Sequence, residues 1–314
     1  MLKPKLIKTV LEQIFKLKRS EPFLIITDSI KIKLAEEFFI YASNHNHKAR
    51  IILMPELEQN GQEPGSEVTK EMLKHKVILI ITNKSLSHTK ARRKATEKGV
   101  RIISAPGITE RILNRCVDLD YQELIQFHDK LRPIIAKGKN IQVTTARGTD
   151  LKFKIHDTHG LSKHLLKNLK GAFGNLPCGE VDSGVSKANG RLIVDGSFPI
   201  IGLIKEPIVL EIKDNLARII SKNKQSKQLK QMLDKAGKNA YKIAEFGIGT
   251  NPKAKLSGIV LEDEKVKGTV HFALGNDLSY GGKNNVPIHL DGVIRKPTII
   301  VDKKTIMKNG KFII

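Results

Sequence analysis

The sequence lacks several features that would reveal its class at once. It has no tryptophan, and aromatic residues make up only 5% of its 314 positions, so it offers few platforms on which bases could stack. Its two cysteines, Cys116 and Cys178, are not in CxxC spacing and cannot form a disulfide framework. No stretch approaches the roughly 18 uncharged apolar residues of a membrane span, and the start lacks the pattern of a signal peptide. These absences predict a reduced, cytoplasmic protein with no membrane partner.

Negative charge is also scarce. There are 32 acidic and 55 basic residues, and the net charge is +23. Such an excess can indicate an anionic partner, but the lysines are scattered, and the single dense run, KARRKATEK at 90–98, is typical of one exposed helix. We therefore expect lysine-rich solvated faces and no nucleic-acid partner. A non-enzymatic anion-binding protein stays open as an alternative.

Apolar runs alternate with amphipathic patterns over residues 1–136. This alternation is typical of a parallel sheet wound by helices, and it predicts a Rossmann-like α/β domain. No GxGxxG motif follows the first apolar run, so no dinucleotide site is expected. The predicted strands are 23–26, 49–54, 77–82 and 100–104.

The pattern changes after Gly138 to strand pairs joined by short turns. An Asp-Gly turn at 195–196 and an Asp-Asn turn at 214–215 each predict a hairpin, and the C-terminal tail predicts two strands around an Asn-Gly turn. We therefore expect a second, mostly antiparallel α+β domain over residues 137–314. The boundary between the domains is predicted near residue 137.

Two short strands of the second domain carry a set of metal-binding residue types. His289 and Asp291 are two residues apart, so in a strand their side chains project from the same face. His271 lies on the polar side of the strand VHFALG at 270–275. Two histidines and one carboxylate form a ligand set for first-row metals.

Two glutamates from glycine-rich segments could extend this set. Glu180 lies in GNLPCGEVDSG and Glu245 in AEFGIGTNPKA. A site of the two histidines and the aspartate would hold one metal with open positions. Five ligands would suffice for two bridged metals. The acidic run 262–264 is predicted to be a solvated turn, although Glu264 is close enough to His271 in sequence to lie behind the metal ligands. The remaining histidines, such as His159, are predicted to lie at the surface.

Four segments resemble, in their order, the aminopeptidase T family of AmpS-type metallo-aminopeptidases: GNLPCGEV, AEFGIGTNP, EDEKVKGTVHFALG and IHLD. The glutamate of the family's N-L-P-x-G-E segment corresponds to Glu180, and that of its second acidic segment to Glu245. The histidine of its H-x-A-L-G strand corresponds to His271, and its H-x-D pair to His289 and Asp291. The resemblance covers most of the second domain.

The resemblance implies a bilobal, homodimeric hydrolase that releases N-terminal amino acids from peptides. Two ions of zinc, cobalt or manganese would be held by the five residues, with Glu180 and Glu245 as the catalytic carboxylates. The chain is shorter than the family's peptidases. It has Leu278 where the family carries a tyrosine, and Tyr280 follows two positions later.

The same superfamily contains 2,5-dihydroxypyridine dioxygenase, which implies a different chemistry for the same residues. A dioxygenase of this kind would use a single Fe(II) held by His271, His289 and Asp291 and would open a hydroxylated nitrogen heterocycle. The metallo-aminopeptidase is our primary prediction. The dioxygenase, with a small-molecule substrate, is the alternative.

Overall fold

A computed structural model of the chain describes residues 1–159 and 170–314. These residues form two compact units. Unit 1 contains Met1–Asp120 and the described part of Leu161–Cys178, and unit 2 contains Gly179–Ile314 and the described part of Tyr121–Gly160. The mixed α/β class predicted from the sequence is confirmed.

The helices are few in unit 2 and frequent in unit 1. A π-helical turn at Thr9–Ile14 continues the first helix, and 3-10 turns occur at Lys238–Tyr241 and Leu278–Tyr280. None of the helices in the described ranges is both long and apolar enough to cross a membrane. The α-helices are α1 (Pro4–Lys8), α2 (Ile32–Asn44), α3 (Ser66–Met72), α4 (Lys90–Glu97), α5 (Glu110–Cys116), α6 (Tyr121–Lys137), α7 (Lys224–Ala236) and α8 (Val260–Asp263).

The strands are short in unit 1 and vary in length in unit 2. In chain order they are β1 (Phe23–Thr27), β2 (Ala49–Leu53), β3 (Val77–Ile81), β4 (Arg101–Ser104), β5 (Ile141–Thr144), β6 (Asp150–His156), β7 (Phe173–Asn175), β8 (Glu180–Val194), β9 (Ser197–Phe198), β10 (Gly202–Leu203), β11 (Ile208–Lys213), β12 (Leu216–Ile219), β13 (Ile243–Gly249), β14 (Val270–Gly275), β15 (His289–Ile294), β16 (Thr298–Val301), β17 (Lys304–Lys308) and β18 (Lys311–Phe312).

A parallel sheet of order β2-β1-β3-β4-β7 forms the centre of unit 1. Every residue of β1 and β3 is buried, as expected for a parallel strand that is covered on both faces. Two of the covering helices begin at threonines, Thr89 and Thr109, whose side chains accept hydrogen bonds from backbone N–H groups of the first turn. The predicted exposed helix at 90–98 is present as α4. Its Arg92, however, is buried and lies over the ring of Phe173.

An antiparallel sheet organises unit 2, and its longest described strand is β8. The order along the main path is β15-β14-β13-β8-β6-β5-β16-β17-β18, and β11 also pairs with β8. One face of this sheet carries a core to which Phe153, Phe246 and Phe272 contribute rings 4.9–5.3 Å apart. Because side chains alternate along a strand, the neighbours of Phe246 and Phe272 face the other way.

One of the turn predictions is wrong. The Asp-Gly at 195–196 does not close a hairpin, because β8 pairs with β11 and β9 pairs with β10. Asp195 is instead buried, and its carboxylate binds Arg147 at 3.1 Å and the backbone N–H of Arg295 at 2.9 Å. The tail contains three strands, β16 to β18, where two were predicted, and the predicted Asn-Gly turn joins β17 to β18.

The Asp-Asn hairpin at 214–215 is confirmed between β11 and β12. Both of its turn residues have positive φ, at 48° and 70°, as a two-residue hairpin turn requires. The predicted domain boundary near 137 lies at the end of α6, a helix that belongs to unit 2.

Candidate metal centre

Four adjacent strands, β15, β14, β13 and β8, carry the predicted site residues on one face. Glu245 on β13 pairs across to Ala273 on β14, and Ala273 pairs across to Asp291 on β15. In the next row, Gly247 lies between Asp182 and His271. Charged side chains thus alternate with glycine and alanine, which leaves the space above the sheet to the larger side chains.

Gly247 is essential to this packing because His271 lies directly over it. A Cβ atom at position 247 would stand 2.0 Å from His271 Nε2, and no real side chain tolerates that distance. A glycine here therefore lets the imidazole reach across β13 toward the carboxylates.

Glu245 connects the predicted residues. Its Oε1 lies 3.2 Å from His271 Nε2, and its Oε2 lies 2.8 Å from His289 Nε2. Glu180 Oε2 is 3.5 Å from His271 Nε2, and Asp291 Oδ1 is 3.5 Å from His289 Nε2. The structure thus brings all five sequence-predicted residues into one cluster, although Glu180 lies 65 positions from Glu245 in the chain.

His289 is oriented by the loop that precedes it. Its Nδ1 donates a hydrogen bond to the carbonyl of Asn276 at 2.7 Å, which directs Nε2 toward the carboxylates. The same loop is held by Asp277, which pairs with Lys242 at 2.8 Å and accepts from the backbone N–H of Asn284. An imidazole fixed through its second nitrogen is the usual arrangement of a metal ligand.

The charges in the cluster shift one another's pKa values. Burial alone would raise the pKa of Glu245, but hydrogen bonds from His271 and His289 hold it well below its ordinary value. Burial would lower the pKa of His271, whereas its hydrogen bond to Glu245 and the nearby carboxylates raise it to about 9. The pKa of Asp291 is lowered because the charge of His289 outweighs its burial.

Two residues of the cluster lie outside the predicted ligand set: Lys265, which the sequence did not indicate, and Glu264, which it placed near the ligands. Lys265 is 1% exposed, and its ammonium binds Glu180 and, at 2.5 Å, Glu264 Oε1. Burial raises the pKa of Glu264 to about 8. The prediction that residues 262–264 form a solvated turn is wrong, because all three carboxylates are buried. Glu262 and Asp263 accept backbone N–H groups of the segment 255–258, so their charges support the fold around the site.

An aromatic and polar rim was also missed. The Tyr280 ring lies parallel to the His289 ring, with centroids 5.9 Å apart, and 5.6 Å from the His159 ring. His159 is half-buried and forms ion pairs with Asp157 at 3.2 Å and Asp182 at 3.4 Å. Burial would lower its pKa, but the bond to Asp182 dominates and raises it to about 9. The position of Tyr280 two residues after Leu278 was the one available signal.

The donor set fits a divalent metal. Three overlapping groups have ligand atoms within 4.8 Å of one another, and carboxylates with imidazoles are the donors that first-row metals prefer. Within residues 1–159 and 170–314, His271 Nδ1 is buried with no hydrogen-bond partner, which is costly for a polar atom. The groups are Glu180, Glu245 and His271; Glu245, His289 and Asp291; and Glu264, His271 and Asp291.

Comparison with known proteins identifies the family. A family model described as NicX: 2,5-dihydroxypyridine 5,6-dioxygenase matches residues 16–314. The chain belongs to this family. A curated 2,5-dihydroxypyridine 5,6-dioxygenase of Pseudomonas putida KT2440 is 21% identical to the chain over 250 residues, which cover 74% of this chain and 70% of that protein.

Two solved structures share the NicX-family fold of this chain. The 2,5-dihydroxypyridine dioxygenase from Pseudomonas putida KT2440 superposes with a TM-score of 0.82 at 16% identity, covering 99% of this chain and 96% of that one. The wild-type AmpT from Thermus thermophilus superposes with a TM-score of 0.74 at 12% identity, covering 99% and 98%.

The prediction of a metallo-aminopeptidase is therefore wrong. The resemblance to aminopeptidase T is borne out at the level of the fold, since AmpT shares it. The match over residues 16–314 assigns the chain to the NicX family, so hydrolase, aminopeptidase and metalloprotease do not describe it. The dioxygenase alternative is the better supported one.

Proposed function

We propose that this chain is a metal-dependent dioxygenase that opens the ring of a dihydroxylated pyridine. The observation that carries the proposal is the NicX-family match over residues 16–314. The cluster on β8, β13, β14 and β15 supports it, because it offers two imidazoles and a carboxylate with further acidic groups beside them. The relative in Pseudomonas putida is named for 2,5-dihydroxypyridine, which makes that compound the first substrate to test.

We infer that Fe(II) is the metal and that His271, His289 and Asp291 hold it. Two histidines and one carboxylate are the ligands of non-haem Fe(II) oxygenases. Bound iron would supply the one-electron chemistry that reactions of dioxygen require. Glu245 lies between the two imidazoles and balances their charge.

Glu180 is the carboxylate that we expect to contact the substrate. Its side chain is 21% exposed, against 4% for Glu245 and 10% for Glu264. Lys265 holds Glu180 Oε1, while Oε2 faces His271. In this position Oε2 can accept a hydrogen bond, or a proton, from a ring hydroxyl.

Tyr280 and His159 are suited to the flat face of a heterocycle. Their rings lie 5.6 Å apart, and Tyr280 is parallel to His289. Aromatic side chains favour offset-stacked contacts with other rings. The positive charge that Asp182 stabilises on His159 would also attract a substrate whose hydroxyl has lost its proton.

The proposal is tested by oxygen uptake. Metal-free protein is loaded with Fe(II) under nitrogen and mixed with 2,5-dihydroxypyridine in an oxygen electrode. We expect one dioxygen consumed per ring, with loss of the ring absorbance. The Zn²⁺-loaded protein and a monohydroxylated pyridine are the matched controls, and neither should consume oxygen. No uptake by folded, Fe(II)-loaded protein would refute the proposal.

A further inference from the structure

Lys265 has, in the proposed chemistry, no role beyond its contact with Glu180. It directly follows Glu264 in the chain, and its position is fixed by the backbone: its N–H donates to Glu262 O at 2.9 Å, and its carbonyl accepts from the N–H of Asn251 at 2.8 Å. The side chain is 1% exposed. A lysine is almost never buried so completely unless its charge is paired.

The ammonium of Lys265 binds two carboxylates that could otherwise hold a metal. One is Glu180, which belongs to a group of potential ligands with Glu245 and His271. The other is Glu264, which belongs to a second group with His271 and Asp291. Both groups also include His271.

The potential ligand groups differ in whether Lys265 contacts them. The third group consists of Glu245, His289 and Asp291 and includes neither carboxylate that Lys265 binds. A first metal ion held by His271, His289 and Asp291 can therefore bind without breaking the contacts of Lys265 with Glu180 and Glu264. A second ion would need Glu180 or Glu264.

The charge of Lys265 opposes that second ion. Glu180, Glu245, Glu264 and Asp291 together carry at most four negative charges, and one ammonium with one divalent cation supplies three positive charges. A second divalent cation beside Lys265 would meet a like charge at close range in a poorly hydrated site, where repulsion is strong. The lysine cannot move aside without taking its charge from both carboxylates.

We propose that Lys265 occupies the place of a second metal ion and thereby limits this centre to one. The inference rests on the metal centre of the proposed function. It explains how a chain with all five carboxylate and histidine positions of a two-metal peptidase can operate as a one-metal enzyme. Lys265 acts as a positioning residue, because its ammonium binds Glu180 and Glu264, the carboxylates that a second ion would use.

Metal counting tests the role of Lys265 without measuring turnover. The metal-free full-length chain is dialysed to equilibrium against excess CoCl₂, and bound Co²⁺ is measured by elemental analysis. We expect one Co²⁺ per wild-type chain and two per Lys265→Met chain, because methionine keeps the length of the side chain without its charge. Lys267→Met is the matched control, since Lys267 is an exposed lysine of the same segment, and it should bind one.

Three results would overturn the inference: a wild-type chain that binds two Co²⁺, a wild-type chain that binds none, or a folded Lys265→Met chain that binds only one. Circular dichroism checks the fold, and Lys265→Gln replaces the methionine variant if that variant does not fold. A wild-type count of two Co²⁺ or of none overturns the inference whether or not the variants fold. A wild-type chain that binds one Co²⁺ but cleaves no ring with Fe(II) contradicts the proposed function and leaves the role of Lys265 intact.

Discussion

Individual residues determine what the site can bind, and some of them could be identified from the sequence. His289 and Asp291 stand two positions apart on a strand, so their shared face followed from the alternation of side chains. Lys265 could not be identified, because it follows three acidic residues and has the appearance of a solvated charge. Its burial depends on Glu180, which is 85 positions away in the chain.

Removal of His289 should greatly lower the affinity of the centre for metal. In the His289→Ala variant the centre loses an imidazole that the loop around Asn276 has already oriented. We expect metal affinity to fall by more than the roughly 10–100-fold that is typical of changes outside the ligands themselves. Elemental analysis after dialysis measures the loss. His45→Ala removes an exposed histidine of unit 1 and should keep the full metal content, and equal metal content in both variants would exclude His289 as a ligand.

Gly247→Ala should also lower the metal affinity, by a smaller factor than His289→Ala, although position 247 contributes no ligand. The new methyl group would require His271 to move, because its Cβ would lie 2.0 Å from Nε2. We expect metal affinity to fall roughly 10-fold or more, as for other changes that misplace a ligand. Gly65→Ala is the control, since a Cβ there meets nothing within 4 Å. Unchanged affinity for Gly247→Ala would show that His271 binds no metal.

The sequence predicted secondary-structure elements correctly where neighbouring residues alone determine the backbone conformation. The Asp-Asn pair at 214–215 forms its hairpin because both residues tolerate positive φ, and Asn215 also bonds the backbone of Ala188 and Ile243 on neighbouring strands. The Asp-Gly pair at 195–196 failed as a predictor because Asp195 is held by arginines 48 and 100 positions away. Such long-range pairing leaves no trace in a local pattern.

Helix α6 should make the stability of unit 2 sensitive to acid. His128 on this helix is fully buried and lies 2.7 Å from the Thr250 hydroxyl, and burial lowers its pKa to about 4. The contribution of His128 to the free energy of unfolding is complete at pH values above its unfolded pKa of about 6.5. The contribution is lost as the pH falls toward 4, because in this range only the unfolded chain takes up the proton.

Between pH 7.5 and 5, this single group should cost about 2 kcal/mol of the free energy of unfolding. His128→Gln removes the titration, so the difference between wild type and variant in urea unfolding should shrink by that amount at pH 5. A difference that does not change with pH would mean that another group is responsible.

The whole molecule explains why the sequence motifs pointed to the wrong reaction. The dioxygenase of Pseudomonas putida and the AmpT of Thermus thermophilus share the fold of this chain, so five residues in the right order are compatible with the fold and leave the chemistry open. The family match over nearly the whole chain decided the assignment. The homodimer, and the expectation that the net charge of +23 serves no nucleic-acid partner, stay predictions.

The central claim is that the chain inserts dioxygen into a dihydroxypyridine ring, and isotope labelling tests it most directly. Fe(II)-loaded protein is mixed with 2,5-dihydroxypyridine under ¹⁸O₂, and the molecular mass of the product is measured by mass spectrometry. A ring-cleaving dioxygenase places both atoms of one dioxygen molecule in the product, so we predict a mass increase of about 4 Da over the ¹⁶O₂ product. A ring-opened product that carries oxygen from water alone, or no ring opening at all, would contradict the claim.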